Sequence, residues 1–388
     1  MSRYHSYIRS ATTIIEKYQG KEPFSSFIKK QFAAEKKFGS GDRRFISELC
    51  YGFFRTSHLF KGSSIEDGLI FSYFLLNKEA SDFLNVTRPE LLPSVSFSLN
   101  EKLKLLGKDK NIFPFPDQVS SYVDINDFSD SLLKQPSAFL RLRPGRKLPV
   151  INALKEKDLN FKLVEEDAIE LPPSSKLDDT FHLNRDAVVQ DLSSQHVLDN
   201  LIDEVGKNNK IPDMLNVWDC CAASGGKSIL LFDKLNGKVK LTVSDIRDQI
   251  IVNLKTRLKQ ARVPVYNAFV TDLTTFETNE KFDIIICDAP CSGSGTWART
   301  PEQLYIFPEK KISEYSALQK KLVEKTVSSL NQNALYCYIT CSVFKEENEE
   351  VVEHIKSLGF SLLNATYHKG YDKNADTLFS AVFSRSLL

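Results

Sequence analysis

Leu215-Asn216-Val217-Trp218-Asp219-Cys220-Cys221-Ala222-Ala223-Ser224-Gly225-Gly226-Lys227 is the stretch whose reading decides the fold. A short strand, Leu215 to Asp219, runs into a loop of small residues and paired glycines. Helical spacing then takes over from Lys227 to Leu235, closed by Asn236-Gly237. The same unit recurs downstream. Lys240 to Asp245 alternates and ends acidic, and Ile250, Leu254 and Leu258 share one helical face. Val263 to Asp272 forms a third strand unit. Phe282-Asp283-Ile284-Ile285-Ile286-Cys287-Asp288 is a continuous apolar run, as expected of a strand buried on both faces. Leu335 to Thr340 is another. Strands alternating with helices predict an α/β fold with a parallel, doubly wound, Rossmann-like sheet.

Upstream the texture changes. Ile14, Ile15, Phe24, Phe27, Ile28 and Phe32 recur at near-helical spacing, as do Phe45, Leu49, Phe53 and Phe54. The expected organisation is an all-helical domain over 1–132, a small strand-helix-strand unit over 133–178 and the Rossmann-like domain over 179–388. The middle unit is read from the alternating stretch Phe139 to Pro144, a helix near Val150 to Lys157 and a strand Phe161 to Val164.

A chain of 388 residues with 42% hydrophobic and 26% charged residues has the composition of a soluble globular protein. The net charge of +1 does not discriminate for or against a nucleic-acid partner. No secretory signal is read at the N-terminus, and the apolar run Leu69 to Leu76 is too short to span a bilayer. The seven cysteines are therefore read as reduced thiols in a cytoplasmic protein, not as a disulfide framework.

Ligands of doubly wound sheets sit outside the carboxyl ends of the strands. This sequence places its unusual residues there. The loop Cys221, Ala222, Ala223, Ser224, Gly225, Gly226 and Lys227 lets a backbone approach a ligand, and the helix after it offers free N–H groups. Asp245, Asp272 and Asp288 end three successive strand units. A carboxylate after the second strand is the usual partner of ribose hydroxyls. Taken together these residues describe an adenosine-containing cofactor. A phosphate-binding P-loop would need glycine at position 221, and a nicotinamide site would need the full G-x-G-x-x-G pattern. Two cysteines, Cys291 and Cys341, fall just past buried strands. Cys341 is expected to precede a helix whose N-terminus favours the thiolate. Cys50, Cys220, Cys287 and Cys337 are read as small hydrophobes. No metal is expected, because in the pairs Cys287/Cys291 and Cys337/Cys341 the first member lies inside a strand.

At these residues the chain resembles the Sun-family (RsmB-like) RNA cytosine-5 methyltransferases. The resemblance covers Asp219 to Lys227, Asp245, Asp272, the block Asp288-Ala289-Pro290-Cys291-Ser292-Gly293 with Gly295, and Thr340-Cys341-Ser342 with Glu347-Asn348-Glu349. It extends to Val189-Gln190-Asp191 with Ser193-Ser194-Gln195. More loosely, Arg44-Phe45 through Arg55 resembles a NusB-like RNA-binding extension. The chain departs from the family at Ser224, where proline is usual, and at Asn331-Gln332-Asn333, where Gly-Gly is common. Asparagine tolerates the left-handed region, so that turn can still form.

The resemblance implies a methyltransferase with S-adenosyl-L-methionine as cofactor, held by Cys221 to Lys227 and the three aspartates. Cys341 would be the nucleophile, Cys291 would resolve the adduct, and Asp288 would hold the cytosine. The implied partner is RNA, ribosomal RNA first, with no membrane, and a monomeric chain is the expectation. Two rival readings remain: a DNA cytosine methyltransferase attacking with the Cys of Pro290-Cys291, and a non-catalytic RNA-binding ribosome-assembly factor. RNA contacts are expected from Lys29, Lys30, Lys36, Lys37, Arg43, Arg44 and Arg55. A second group is Arg141, Arg143, Arg146 and Lys147, with Arg141 and Arg143 on one strand face as a phosphate track. Trp297 and Arg299, just past the Cys291 loop, are candidates to touch the substrate strand.

Overall fold

The computed structural model describes residues 2–35, 37–173, 175–207 and 214–385. Two compact units emerge. One comprises 1–117, 125–135 and 297–309, and the other 118–124, 136–296 and 310–388.

The first unit is helical. Its longer helices are Arg3–Lys17, Phe24–Ala34, Ser40–Thr56 and Ile65–Leu76. Ser64 caps the last of these by accepting from the Asp67 N–H, and Glu66 and Asp67 complement the dipole of its first turn. Aromatic rings fill the core, with Phe24 and Phe54 edge to face at 4.7 Å. Arg55 is buried here. Its guanidinium donates to the carbonyls of Leu132 (2.6 Å) and Ala298 (2.9 Å), and burial lowers its pKa to about 10. Arg55 therefore ties segments of this unit together and does not face solvent as an RNA contact would. Trp297 is likewise core, packed against Phe113 and Phe307 with ring centroids 5.6 and 4.9 Å away, which removes it as a substrate contact.

The second unit holds two sheets. The smaller has the order β2-β3-β1-β4, from β1 (Ala138–Leu142), β2 (Lys162–Glu165), β3 (Ala168–Leu171) and β4 (Ala187–Val189), all antiparallel. Its last strand lies beyond residue 178, where the sequence reading had ended this unit. The helix Lys147–Glu156 covers it, with Val150 and Leu154 against Leu140, Leu142 and Ile169.

The larger sheet has seven strands in the order β10-β11-β9-β8-β5-β6-β7. These are β5 (Leu215–Asp219), β6 (Val239–Asp245), β7 (Asn267–Val270), β8 (Phe282–Asp288), β9 (Leu330–Thr340), β10 (Phe360–His368) and β11 (Leu378–Arg385). β5 to β9 are parallel, and β11 is antiparallel to both β9 and β10. The apolar run of β8 has the expected cause. Ile284 and Ile286 enter one core with Ile229, Leu254 and Leu258, while Ile285 and Cys287 enter the opposite core with Val323, Val351 and Ile355. Each such side chain contributes roughly 1.5–3 kcal/mol by leaving water. The order in which successive strands are laid down reverses at β5, which pairs with β6 on one side and β8 on the other. The crevice at their carboxyl ends is the switch point where such sheets bind ligands. Asn333 does take a positive φ, +59°, as the unusual turn requires.

Arg141 and Arg143 are not a phosphate track. Both are buried and converge on Asp233 of the helix Gly226–Lys234, at 2.7 and 2.5 Å. Arg143 also donates to the carbonyl of Ala261. A guanidinium leaves water only when paired and hydrogen-bonded, and these two are spent holding β1 to the large sheet's helices. Replacing Asp233 by alanine strands two buried cations, so Asp233→Ala is expected to lower unfolding free energy by about 3–5 kcal/mol in urea titration.

Candidate active site

Each strand of the switch point delivers part of the site. After β5 the chain makes a tight loop in which Ala223 and Gly225 adopt positive φ, +45° and +80°. The φ of Gly225 favours glycine, and a Cβ there would also lie 2.3 Å from Leu254 Cδ1 on the helix Asp248–Gln260. The loop is pinned by the Ala222 N–H to the Ser244 carbonyl (2.9 Å) and by the Ala223 N–H to the Asp245 carboxylate (3.1 Å). Ser224, in the usual proline position, accepts from Arg257 through both its hydroxyl and its carbonyl (2.8 and 3.1 Å). That contact supplies rigidity the missing ring would have provided.

Asp245 ends β6, as read. Burial works against its charge, but Arg247 binds it through the guanidinium (2.9 and 3.1 Å) and the backbone N–H (3.0 Å) and holds its pKa low. With the Ala223 N–H these partners fill its lone-pair sites. Asp272 lies two residues beyond the end of β7, is exposed, and accepts from the Thr274 N–H at 2.9 Å. Asp288 ends β8 and pairs with Lys227 at 2.5 Å. Burial alone would lower the Lys227 pKa, but Asp288 reverses this and keeps the ammonium charged. Beneath them Asp219 is fully buried. Burial pushes its pKa to about 7, Ser228 donates to one oxygen at 2.6 Å, and the other has no partner.

Cys291 and Cys341 meet. Their sulfurs are 3.3 Å apart, on the loops after β8 and β9. The hydrogen bond with Cys341, and then burial, push the Cys291 thiol well above the usual range, so Cys291 keeps its proton. The expected helix dipole is absent at Cys341, because the next helix begins only at Glu349 and a dipole fades within one turn.

What joins the two loops is Glu347, fully buried, with its pKa raised by that burial. One oxygen accepts from the Ser292 N–H and the Gln319 amide, both 2.9 Å, and the other from the Ser342 hydroxyl at 2.7 Å. Gln319 also donates to the Pro290 carbonyl at 2.9 Å. The Gly295 N–H donates to the Cys341 carbonyl at 2.9 Å, and a Cβ there would lie 1.9 Å from the Thr377 carbonyl oxygen. From the sequence Glu347 reads as an acidic residue in the first turn of the helix after Cys341, but that helix starts at Glu349; Gln319 carries only the signal of an amide on the buried face of the helix Lys311–Val327.

Two apolar side chains missed in the sequence lie exposed beside the loop: Ile246 (62%), next to Asp245, and Val270 (44%), ending β7. Cys220 and Cys287 are buried in the core, as read, and with the partly exposed Cys221 their sulfurs all lie within 4.8 Å of one another.

Residues 209–364 match the family model described as 16S rRNA methyltransferase RsmB/F. That stretch is less than half of the chain, and over it the chain is similar to this family. The ribosomal RNA small subunit methyltransferases B of Yersinia pseudotuberculosis and Yersinia pestis are each 31% identical over 168 residues, covering 42% of this chain. The chain spans 37% of the length of these relatives. Among solved structures, PH0851 superposes with a TM-score of 0.71 at 19% identity over 99% of both chains. A methyltransferase homolog protein from Pyrococcus horikoshii gives 0.55 at 21% identity, covering 67% of this chain and 90% of its own. At these identities the likeness is one of fold.

Removing Glu347 leaves three buried donors without an acceptor, each costing about 1–3 kcal/mol. Glu347→Ala is therefore expected to destabilise the chain and to speed alkylation of both Cys291 and Cys341 by iodoacetamide, read by peptide mass mapping. Unchanged alkylation rates would show that the loops hold their positions without it.

Proposed function

We propose that the chain methylates carbon 5 of a cytosine in RNA, small-subunit ribosomal RNA first, through a covalent adduct with Cys341. The observation that carries this reading is the 3.3 Å approach of two sulfurs at the ends of adjacent strands, beside the Lys227–Asp288 pair. A cleft with one thiol kept protonated and a second at its side suits a reaction that must first add a thiolate and later eliminate it.

The residues present fit an adenosine-containing methyl donor. The loop Cys221 to Lys227 brings backbone close, Asp245 lies at its base, and Ile246 and Val270 offer apolar surface for a base. Asp245 is saturated by protein, so the ribose would replace the guanidinium of Arg247, whose side chain is 60% exposed. Asp272, exposed at the rim, is the remaining polar partner. When bound, S-adenosyl-L-methionine supplies an electrophilic methyl group.

The chain's own residues supply the rest. Cytosine carbon 5 is a weak nucleophile, and addition of the Cys341 sulfur to carbon 6 makes it enamine-like. Asp288, held by Lys227, is available to hydrogen-bond the N3 and amino edge as charge develops there. Cys291 is placed to take part in loss of the carbon-5 proton and release of Cys341. The base must be single-stranded or flipped to reach these groups. Lys29, Lys37, Arg43 and Arg44 remain available for phosphate, although Lys37 pairs with Glu35 at 2.6 Å and Lys30 with Glu22 at 2.7 Å. Lys36 lies outside the described residues. No helix among the described residues is long and apolar enough to cross a membrane, and a cytoplasmic site of action is proposed with the RNA substrate.

Cys341→Ala should abolish transfer of labelled methyl groups to RNA. Cys291→Ala should instead accumulate a protein–RNA adduct that survives denaturation. An active Cys341→Ala with a dead, adduct-free Cys291→Ala, or label appearing only on duplex DNA, would assign the DNA-type reaction. No label on either nucleic acid, from a chain that still binds RNA, would favour the assembly-factor reading.

A further inference from the structure

Cys220, Cys221 and Cys287 form a second sulfur cluster that the methyl-transfer reading does not use. Cys220 follows β5 and Cys287 belongs to β8, and both enter the core beside Trp218, Tyr336 and Tyr338. They are fully buried, whereas Cys221 is partly exposed and opens the loop that runs to Lys227. With all three sulfurs within 4.8 Å of one another, the cluster joins two fully buried cysteines to one partly exposed residue. Thiolate bonds to a metal such as zinc run about 2.3 Å, so one centre held by three sulfurs spaces them roughly 4 Å apart or less, a spacing that falls inside the 4.8 Å span of this cluster. Burial pushes the Cys220 thiol up, while hydrogen bonds from Cys220 and Cys221 hold the Cys287 sulfur low.

We propose that these three cysteines form a trithiol site for a thiophilic trivalent centre, with arsenic(III) as the ligand it takes. Charge selects the ligand. Three thiolates around a dication leave a net negative charge in an apolar core, next to the buried Asp219, and no fourth ligand joins the group among the described residues. Zinc is four-coordinate and would need a water or other outside ligand in that fourth place, within an apolar core. Arsenous acid reacts without any redox change: As(OH)3 + 3 RSH gives As(SR)3 + 3 H2O. Three As–S bonds replace three As–O bonds, each hydroxide leaves with a thiol proton, and the product is neutral. Entry through Cys221 couples the site to the loop, because a bridge from Cys221 to Cys220 and Cys287 fixes the loop's first residue to β5 and β8. Loss of methyl transfer on loading would follow only if that loop holds the methyl donor, and this consequence alone rests on the proposed function.

The test is binding, not activity. The full chain is incubated with sodium arsenite, and free thiols are alkylated in urea, alongside an arsenite-free control in which all seven cysteines react, and mapped by mass spectrometry. The expected result is one arsenic per chain, with Cys220, Cys221 and Cys287 protected. Cys287→Ala and Cys220→Ala should each weaken arsenite binding at least tenfold. The double variant Cys291→Ala/Cys341→Ala should bind as wild type, since the other sulfur pair is then absent. Protection of Cys291 and Cys341 instead, or loss of binding in that double variant, overturns the proposal. So does a preference for cadmium over arsenite, read from thiolate-to-cadmium absorption. Should the single variants fail to fold, the protection map of the wild-type chain decides alone.

Discussion

The Glu347 carboxylate, taken wholly out of water, is the constraint on which the site depends. An isolated carboxylate there would be prohibitively costly, and it is tolerated because a backbone N–H, a hydroxyl and an amide converge on it. Those donors come from both loops and from the helix behind them. The same bonds that offset burial therefore set the spacing of Cys291 and Cys341. A polar group of this kind is worth most where every partner is satisfied, since a loop that drifts leaves a buried donor unpaired.

The same logic repeats one layer out. Arg141 and Arg143 look like RNA contacts when read along a strand, yet their charges are consumed by Asp233. Asp245 is saturated by Arg247 in the same manner, but Arg247 reaches it from the exposed side. The first pair is a structural joint closed to solvent. The second is an exchangeable contact, and that difference separates a scaffold from a binding position.

Much of the site was legible because its parts are local. Glycine with positive φ, small residues before a helix and an acid at a strand end are signatures written within a few residues. Hence the loop Cys221 to Lys227, Asp245, Asp288, Cys291 and Cys341 lie where the sequence placed them. Asp272 lies past its strand's end because β7 stops at Val270. The antiparallel β11 between β9 and β10 went unread, since pairing direction is a contact between distant segments and leaves no periodic trace.

Chain order of the elements, the two-sided burial of β8 and the identity of the loop residues were set by the sequence alone, because periodicity and backbone propensity act over one or two turns. Which charges face solvent, which sulfurs meet, and which carboxylate ties the loops together were decided by tertiary structure. Cys220 is 67 positions from Cys287, yet parallel pairing of β5 with β8 puts their sulfurs side by side. Partners of that kind are chosen by the packing of whole strands, and no local pattern encodes them.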